Sequence, residues 1–261
     1  MSLHIHEKKN HLEVKNSDSN LDKPLTIELP EPLPNFNGFN WLMSGPSGSG
    51  KTTLLTSLMT QKKKNGKRMS FRKLFDRIII CSSTLGNGKS LKKDPFKDIP
   101  ESQKFLKFNR ETMHAINEMC KDNNAADENS LVIFDDVGSQ LRKDSKAEAL
   151  LVEFLQNRRH LNTSCFILVQ KFKNLPTGIR NNMTHFSFFR PKNQLELEDI
   201  CSEMMPFHKK HYQPIIDYVF DNDDNFSFMT IDVSRKKTNK FVFYNGFNRM
   251  IIEDPENNII V

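Results

Sequence analysis

Glycine is scarce in this chain, with ten among 261 residues. Cysteine is scarcer still, and Cys81, Cys120, Cys165 and Cys201 lie far apart with no Cys-x-x-Cys pair among them. That spacing argues against a zinc site or a disulfide framework and leaves buried free thiols in a reducing compartment as the expectation. No run approaches the ~18 consecutive apolar residues that a membrane span needs. The opening MSLHIHEKKNHLEVKN lacks the apolar core of a secretory signal. A soluble, intracellular protein is expected. Hydrophobic residues make up 37% of the chain, below a usual globular share but above the disordered range, and 21 phenylalanines can fill a core. The net charge of +6 is a modest excess that favours an anionic partner.

Against that scarcity, three of the ten glycines fall in one stretch, GPSGSGKTT from Gly45 to Thr53. The pattern is G-x-x-x-x-G-K-[ST], with Gly45, Gly50, Lys51 and Thr52 in the defining places. An apolar piece, FNWLMSG, precedes it, and TTLLTSLMT follows with Leu54, Leu55, Leu58 and Met59 on one helical stripe. Several backbone N–H groups must approach phosphate oxygens closely, which needs a tight curl that only glycine adopts cheaply. The following helix points its positive end at the same anion. Gly45, Pro46, Ser47, Gly48, Ser49, Gly50, Lys51, Thr52 and Thr53 are the expected ATP-binding residues, with Lys51 on the β- and γ-phosphates and Thr52 on Mg²⁺. A second stretch, GNGKS at Gly86 to Ser90, has Ser83 where the first glycine should stand, so it reads as a surface loop.

Strand-like and helix-like pieces then alternate: RIIICSS, FNRETMHAINEMCKD, SLVIFDDVG, SKAEALLVEFLQNRRH, SCFILVQ and HFSFFRP. That alternation predicts an α/β fold with a mostly parallel central sheet flanked by helices. Further on, QLELEDICSEMM reads as a helix, and NFSFMTIDVS with KFVFYNGF as an antiparallel ribbon turned by RKKTN. The expected organisation is a flexible arm over 1–35, polar and proline-rich apart from the short apolar LTIEL, that adds an edge strand, an ATPase core over 36–205, and an extension over 206–261 packed on the core.

SLVIFDD ends in Asp135 and Asp136 after four apolar residues. Asp135 is expected to organise Mg²⁺ and Asp136 to polarise the attacking water, with turn capping as the plain alternative. RIIICSS intervenes between the glycine-loop strand and the acidic strand. That order suits the RecA-like, additional-strand ATPases, and no NKxD guanine-reading motif occurs. Gln170, at the end of SCFILVQ, is placed to sense the γ-phosphate, or else simply faces solvent. Arg158 and Arg159 in QNRRHLN, and Arg180 in GIRNN, are candidates for an arginine delivered to a neighbouring subunit, or for helix-end charges. The basic runs Lys62 to Lys73 and Arg235 to Lys240 read as solvated faces or backbone-tracking DNA contacts.

Taken together, GPSGSGKTT, LVIFDD, NRRHLN, FILVQ and IRNN resemble the poxvirus-type viral DNA packaging ATPases, a branch of the FtsK–HerA superfamily of DNA pumps. The resemblance covers about Phe36 to Met205. It implies a RecA-like core, a homo-oligomeric ring of five or six subunits, and ATP-driven threading of double-stranded DNA into a preformed capsid. It implies capsid proteins at a packaging vertex as partners, and the viral factory in the host cytoplasm as the location. It also assigns Lys51, Asp136, Gln170 and Arg159 to catalysis, with Thr52 and Asp135 on the metal. The family's acidic motif often ends in Asp-Glu, whereas here it is Asp-Asp. A RecA-like or AAA+ helicase or remodeller, and a non-catalytic nucleotide-gated scaffold, are the competing functions.

Overall fold

The structure, a computed structural model, describes residues 4–7, 29, 31–34, 37–60, 71–83, 85, 94–221, 226–234 and 241–253. In chain order the elements are β1 (His4–Glu7), β2 (Asn40–Ser44), α1 (Lys51–Thr60), β3 (Arg77–Cys81), β4 (Lys104–Phe105), α2 (Arg110–Ala125) and β5 (Ser130–Asp135). They continue with α3 (Gly138–Leu141), α4 (Ser145–Asn157), β6 (Thr163–Val169), α5 (Thr177–Arg180) and β7 (His185–Phe189). After these come α6 (Gln194–Met204), α7 (Tyr212–Phe220), β8 (Phe228–Asp232), β9 (Val242–Asn245) and β10 (Asn248–Glu253).

All ten strands join one sheet in the order β1-β10-β9-β8-β7-β2-β6-β5-β3-β4. From β7 to β4 the neighbours run parallel, and from β7 outward through β8, β9 and β10 to β1 they run antiparallel. The additional strand is β6, which stands between the glycine-loop strand β2 and the acidic strand β5. This is the RecA-like, additional-strand arrangement expected from the order of pieces in the sequence.

The central strands are unbroken apolar runs because they are covered on both faces. Alternation along each strand splits the core in two. Trp41, Met43, Leu131, Ile133, Phe166 and Leu168 meet α1 through Leu54, Leu55, Leu58 and Met59. Leu42, Val132, Phe134, Cys165, Ile167 and Phe186 face the other way, under α2, α4, α6 and α7. The helices start where their caps allow. Asn109 accepts from Thr112 N at the head of α2, Asp144 from Lys146 N and Ala147 N at α4, and Asn193 from Leu195 N at α6. All four cysteines are buried and free, as expected from their spacing.

Three readings differ in detail. The edge strand from the N-terminal arm is His4–Glu7, paired with β10, whereas residues 25–28 of LTIEL lie outside the described residues. KFVFYNGF does not run through as one strand, because Gly246 takes φ +59° and the chain turns into β10, a third antiparallel strand unread in the sequence. Helix α7, YQPIIDYVF, is an element beyond the sequence reading, and its Pro214 lies in the first turn, where a helix tolerates proline. The ribbon is sewn to the parallel sheet by buried polar groups. Trp41 Nε1 donates to Ser187 Oγ at 2.9 Å, and Ser187 Oγ is 2.8 Å from Thr230 Oγ1, a chain crossing β2, β7 and β8. The GNGKS stretch, residues 62–70 and residues 235–240 lie outside the described residues.

Candidate functional site

Register brings the chemistry to one edge of the sheet. Ser44 pairs with Val169 on one side and Phe188 on the other, Asp135 pairs with Leu168, and Cys81 with Phe134. The C-terminal ends of β2, β3, β5, β6 and β7 therefore finish together, and the residues just after them share a crevice. In open α/β sheets that edge is where ligands bind.

The glycine loop leaves β2 with Gly45 N donating to Val169 O at 3.2 Å and enters α1 through Leu54 N to Gly50 O at 2.7 Å. Gly48 at φ +79° and Gly50 at φ +105° hold the left-handed backbone that the curl requires. Open space surrounds the point where a Cβ on Gly48 would sit. The Oγ of Ser49 is buried without a hydrogen-bond partner among the described residues. An unanswered polar atom inside a loop of exposed and half-buried residues fits a cradle built for an anion. Lys51 Nζ donates to Gly45 O at 2.7 Å and Pro46 O at 2.9 Å, which places the ammonium over the loop. Burial pushes its pKa down, and the charges of Asp135 and Asp136 act in the opposite direction, favouring the ammonium. Lys51 thus faces both the loop and the acidic pair.

Asp135 is half-buried and accepts from Ser82 Oγ at 2.8 Å; the Ser82 hydroxyl also accepts from Leu85 N at 3.0 Å. Asp136 is exposed, with φ +56°, and its N–H donates to Leu168 O at 3.0 Å, a left-handed kink that aspartate tolerates better than most residues. Gln170 Nε2 donates to Asp136 Oδ2 at 3.0 Å. Lys51, Asp135, Asp136 and Gln170 are therefore brought together from two strand ends and a helix start. Thr52 and Thr53 stand in the first turn of α1 beside them. The donor set, one hydroxyl and one carboxylate at a phosphate cradle, has the hard oxygen chemistry that Mg²⁺ takes.

The arginines lie elsewhere. Arg158 is buried, with Nε donating to Gly38 O and Nη1 to Leu155 O at 2.6 Å, so its guanidinium is spent inside the fold. Arg159 packs on Gly38 ahead of β6, at the opposite edge of the sheet from Gln170. The seven residues of β6 separate the two edges by roughly 20 Å. Arg180 is buried over the Phe172 ring and bonded to Glu203, Leu175 O and Thr177 Oγ1. Within one chain none of the three shares the crevice.

Sequence reasoning missed Ser82 and Arg190. Ser82 follows RIIIC and looks like any strand-end serine until the register sets it abreast of Asp135. Arg190, exposed at the end of β7, donates to Phe220 O at 3.4 Å and brings a permanent positive charge to the phosphate-loop edge. The first polar side chain after HFSFF was the available signal.

Known proteins of this kind carry the same frame. The chain is 31% identical over 159 residues to the DNA packaging protein OPG160 of Variola virus and to that of Vaccinia virus strain Western Reserve, across 58% of this chain. It spans 53% of those proteins, about half the length of the curated relatives it matches. B204, the DNA-packaging ATPase from Sulfolobus Turreted Icosahedral Virus, superposes with a TM-score of 0.50 at 15% identity, over 80% of this chain and 97% of that one. The genome packaging NTPase B204 of Sulfolobus turreted icosahedral virus 2, in complex with ATP-gammaS, gives 0.53 at 14% identity over 79% and 97%. The fold is thus shared with packaging NTPases. Residues 35–230 match the family described as Poxvirus A32 protein, and the chain belongs to that family.

Proposed function

We propose that this chain is an ATP-driven translocase of double-stranded DNA that packages a viral genome into a preformed capsid. The observation that carries this reading is the convergence of Lys51, Asp135, Asp136 and Gln170 on one crevice beside a left-handed glycine loop. Membership of a family whose relatives include DNA packaging proteins supports the choice of duplex DNA as the track.

The geometry supports the following assignment of roles. Backbone N–H groups of the loop over 45–53 hold the phosphates, and Lys51 turns from the Gly45 and Pro46 carbonyls to the β- and γ-oxygens. Thr52 and Asp135 would hold Mg²⁺, which supplies positive charge against the phosphates when bound. Ser82 fixes the rotamer of Asp135. Asp136 accepts the proton of the attacking water, and Gln170, bonded to that carboxylate, transmits the state of the γ-phosphate along β6. Arg159, on the loop just ahead of β6, is the arginine proposed to reach a neighbour's nucleotide in a homo-oligomeric ring. A location in the viral factory of the host cytoplasm and docking on capsid proteins complete the proposal. No helix among the described residues is long and apolar enough to cross a membrane.

The test is steady-state ATP hydrolysis with and without linear duplex DNA, beside strand separation of a forked substrate. Duplex-stimulated hydrolysis without unwinding, and its loss in Lys51→Ala, is the expected outcome. Unwinding of the fork would favour a helicase, and turnover unchanged in Lys51→Ala would remove the glycine loop from the mechanism.

A further inference from the structure

We propose that Phe226 is the stacking platform for the nucleobase, with Phe189, Phe228 and Phe247 as the aromatic strip that holds it in place. This inference rests on the nucleotide reading above. The starting observation is what borders Gly50. A Cβ built on Gly50 would lie 3.4 Å from Phe189 Cε1 and 3.4 Å from Phe226 Cδ1, so two rings occupy the space beside the last glycine of the loop. Phe226 is 61% exposed, yet it sits against the phosphate cradle rather than on an open face of the protein. A single exposed phenylalanine needs no function in general. Its place beside Gly50 is what singles this one out.

The strip continues outward. The ring centroids of Phe189 and Phe228 are 5.6 Å apart, and those of Phe228 and Phe247 are 5.3 Å apart. Phe247 is 38% exposed at the turn between β9 and β10. Phe189 pairs with Phe228 across β7 and β8, and Gly246 N donates to Phe228 O at 2.8 Å. The antiparallel ribbon therefore delivers its turn to the same edge of the sheet as the glycine loop.

Direction decides which end of the nucleotide meets these rings. The acidic strand β5 lies beyond β6 on one side of β2, so the γ-phosphate must point that way to meet Asp135 and Asp136. A triphosphate lying across the head of α1 then sends its nucleoside out on the other side, over β7 and β8. That is the side carrying Phe189 and Phe226. Every base has an apolar π-face, and an exposed aromatic ring is the surface that binds one with little ordering cost.

Equilibrium binding of ATP and of inorganic tripolyphosphate to the full chain separates the two parts of the site. Wild-type protein is expected to bind both, and Phe226→Ala to lose about tenfold in ATP affinity while tripolyphosphate affinity stays within twofold. Phe226→Tyr, which keeps the ring, should restore ATP affinity. Equal losses for both ligands, or no loss for ATP, would overturn the platform while leaving the phosphate cradle intact. Failure of wild-type protein to bind either ligand would overturn the nucleotide reading and this inference together.

Discussion

Asp136 stands where the backbone turn and the proposed chemistry meet. Its φ of +56° makes the kink that turns the chain out of β5, and its carboxylate receives Gln170 at 3.0 Å. Asparagine accepts the same left-handed backbone but cannot take a proton, so Asp136→Asn isolates the chemical role. Turnover should fall by about 10² to 10⁴ with ATP affinity retained, read by hydrolysis rate and equilibrium binding. A parallel loss of binding would mean that the residue matters for the loop instead. The cysteines carry a second prediction at this scale. Burial raises Cys81 to about 12, Cys120 to about 11 and Cys201 to about 12, with the Asp135 charge adding to the shift at Cys81, and burial raises Cys165 as well. Their folded pKa lies above the unfolded value of about 8.5, so the stability they lend is present below that pH and drains away as pH rises toward 11. Native protein at pH 8 should resist iodoacetamide, and all four thiols should react in urea. Rapid labelling of the folded chain would contradict the burial.

At the scale of elements, the glycine loop, the strand ending in twin aspartates and the two amphipathic helices were legible because each has a local signature. Leu54, Leu55, Leu58 and Met59 are buried as their spacing demanded; of the stripe Ala147, Leu150, Leu151, Phe154 and Leu155, all are buried but Leu150, which is partly buried against the same core. What local pattern does not carry is register. Ser82 meets Asp135, and Phe226 meets Gly50, only because strands far apart in the chain lie abreast, and no periodicity within RIIICSS or NFSFMTIDVS encodes that. The third ribbon strand was hidden by a turn at Gly246 within an apolar run. Ser187 tests whether the ribbon belongs to the sheet. Replacing it by alanine strips a partner from both Trp41 Nε1 and Thr230 Oγ1 in a buried setting. A loss of about 1–3 kcal/mol is expected in denaturant unfolding, in one transition. Two separate transitions would show the ribbon to be an independent unit.

For the whole molecule, the arrangement places the proposed nucleotide site at one edge of the sheet and Arg159 at the other. The catalytic role proposed for Arg159 therefore requires a second copy of the chain, turned so that this edge approaches a neighbour's crevice. Mixing Arg159→Ala subunits with Asp136→Asn subunits should recover part of the activity that each variant lacks alone, as an arginine and a base meet at some interfaces. No recovery would leave Arg159 as a residue that packs on Gly38. In the proposed function, hydrolysis in this crevice drives movement along duplex DNA. Displacement of a third-strand oligonucleotide from a linear duplex tests that most directly. Wild-type protein with ATP should release the third strand, and Lys51→Ala should not. Robust duplex-stimulated hydrolysis by wild-type protein with the third strand left in place would contradict translocation.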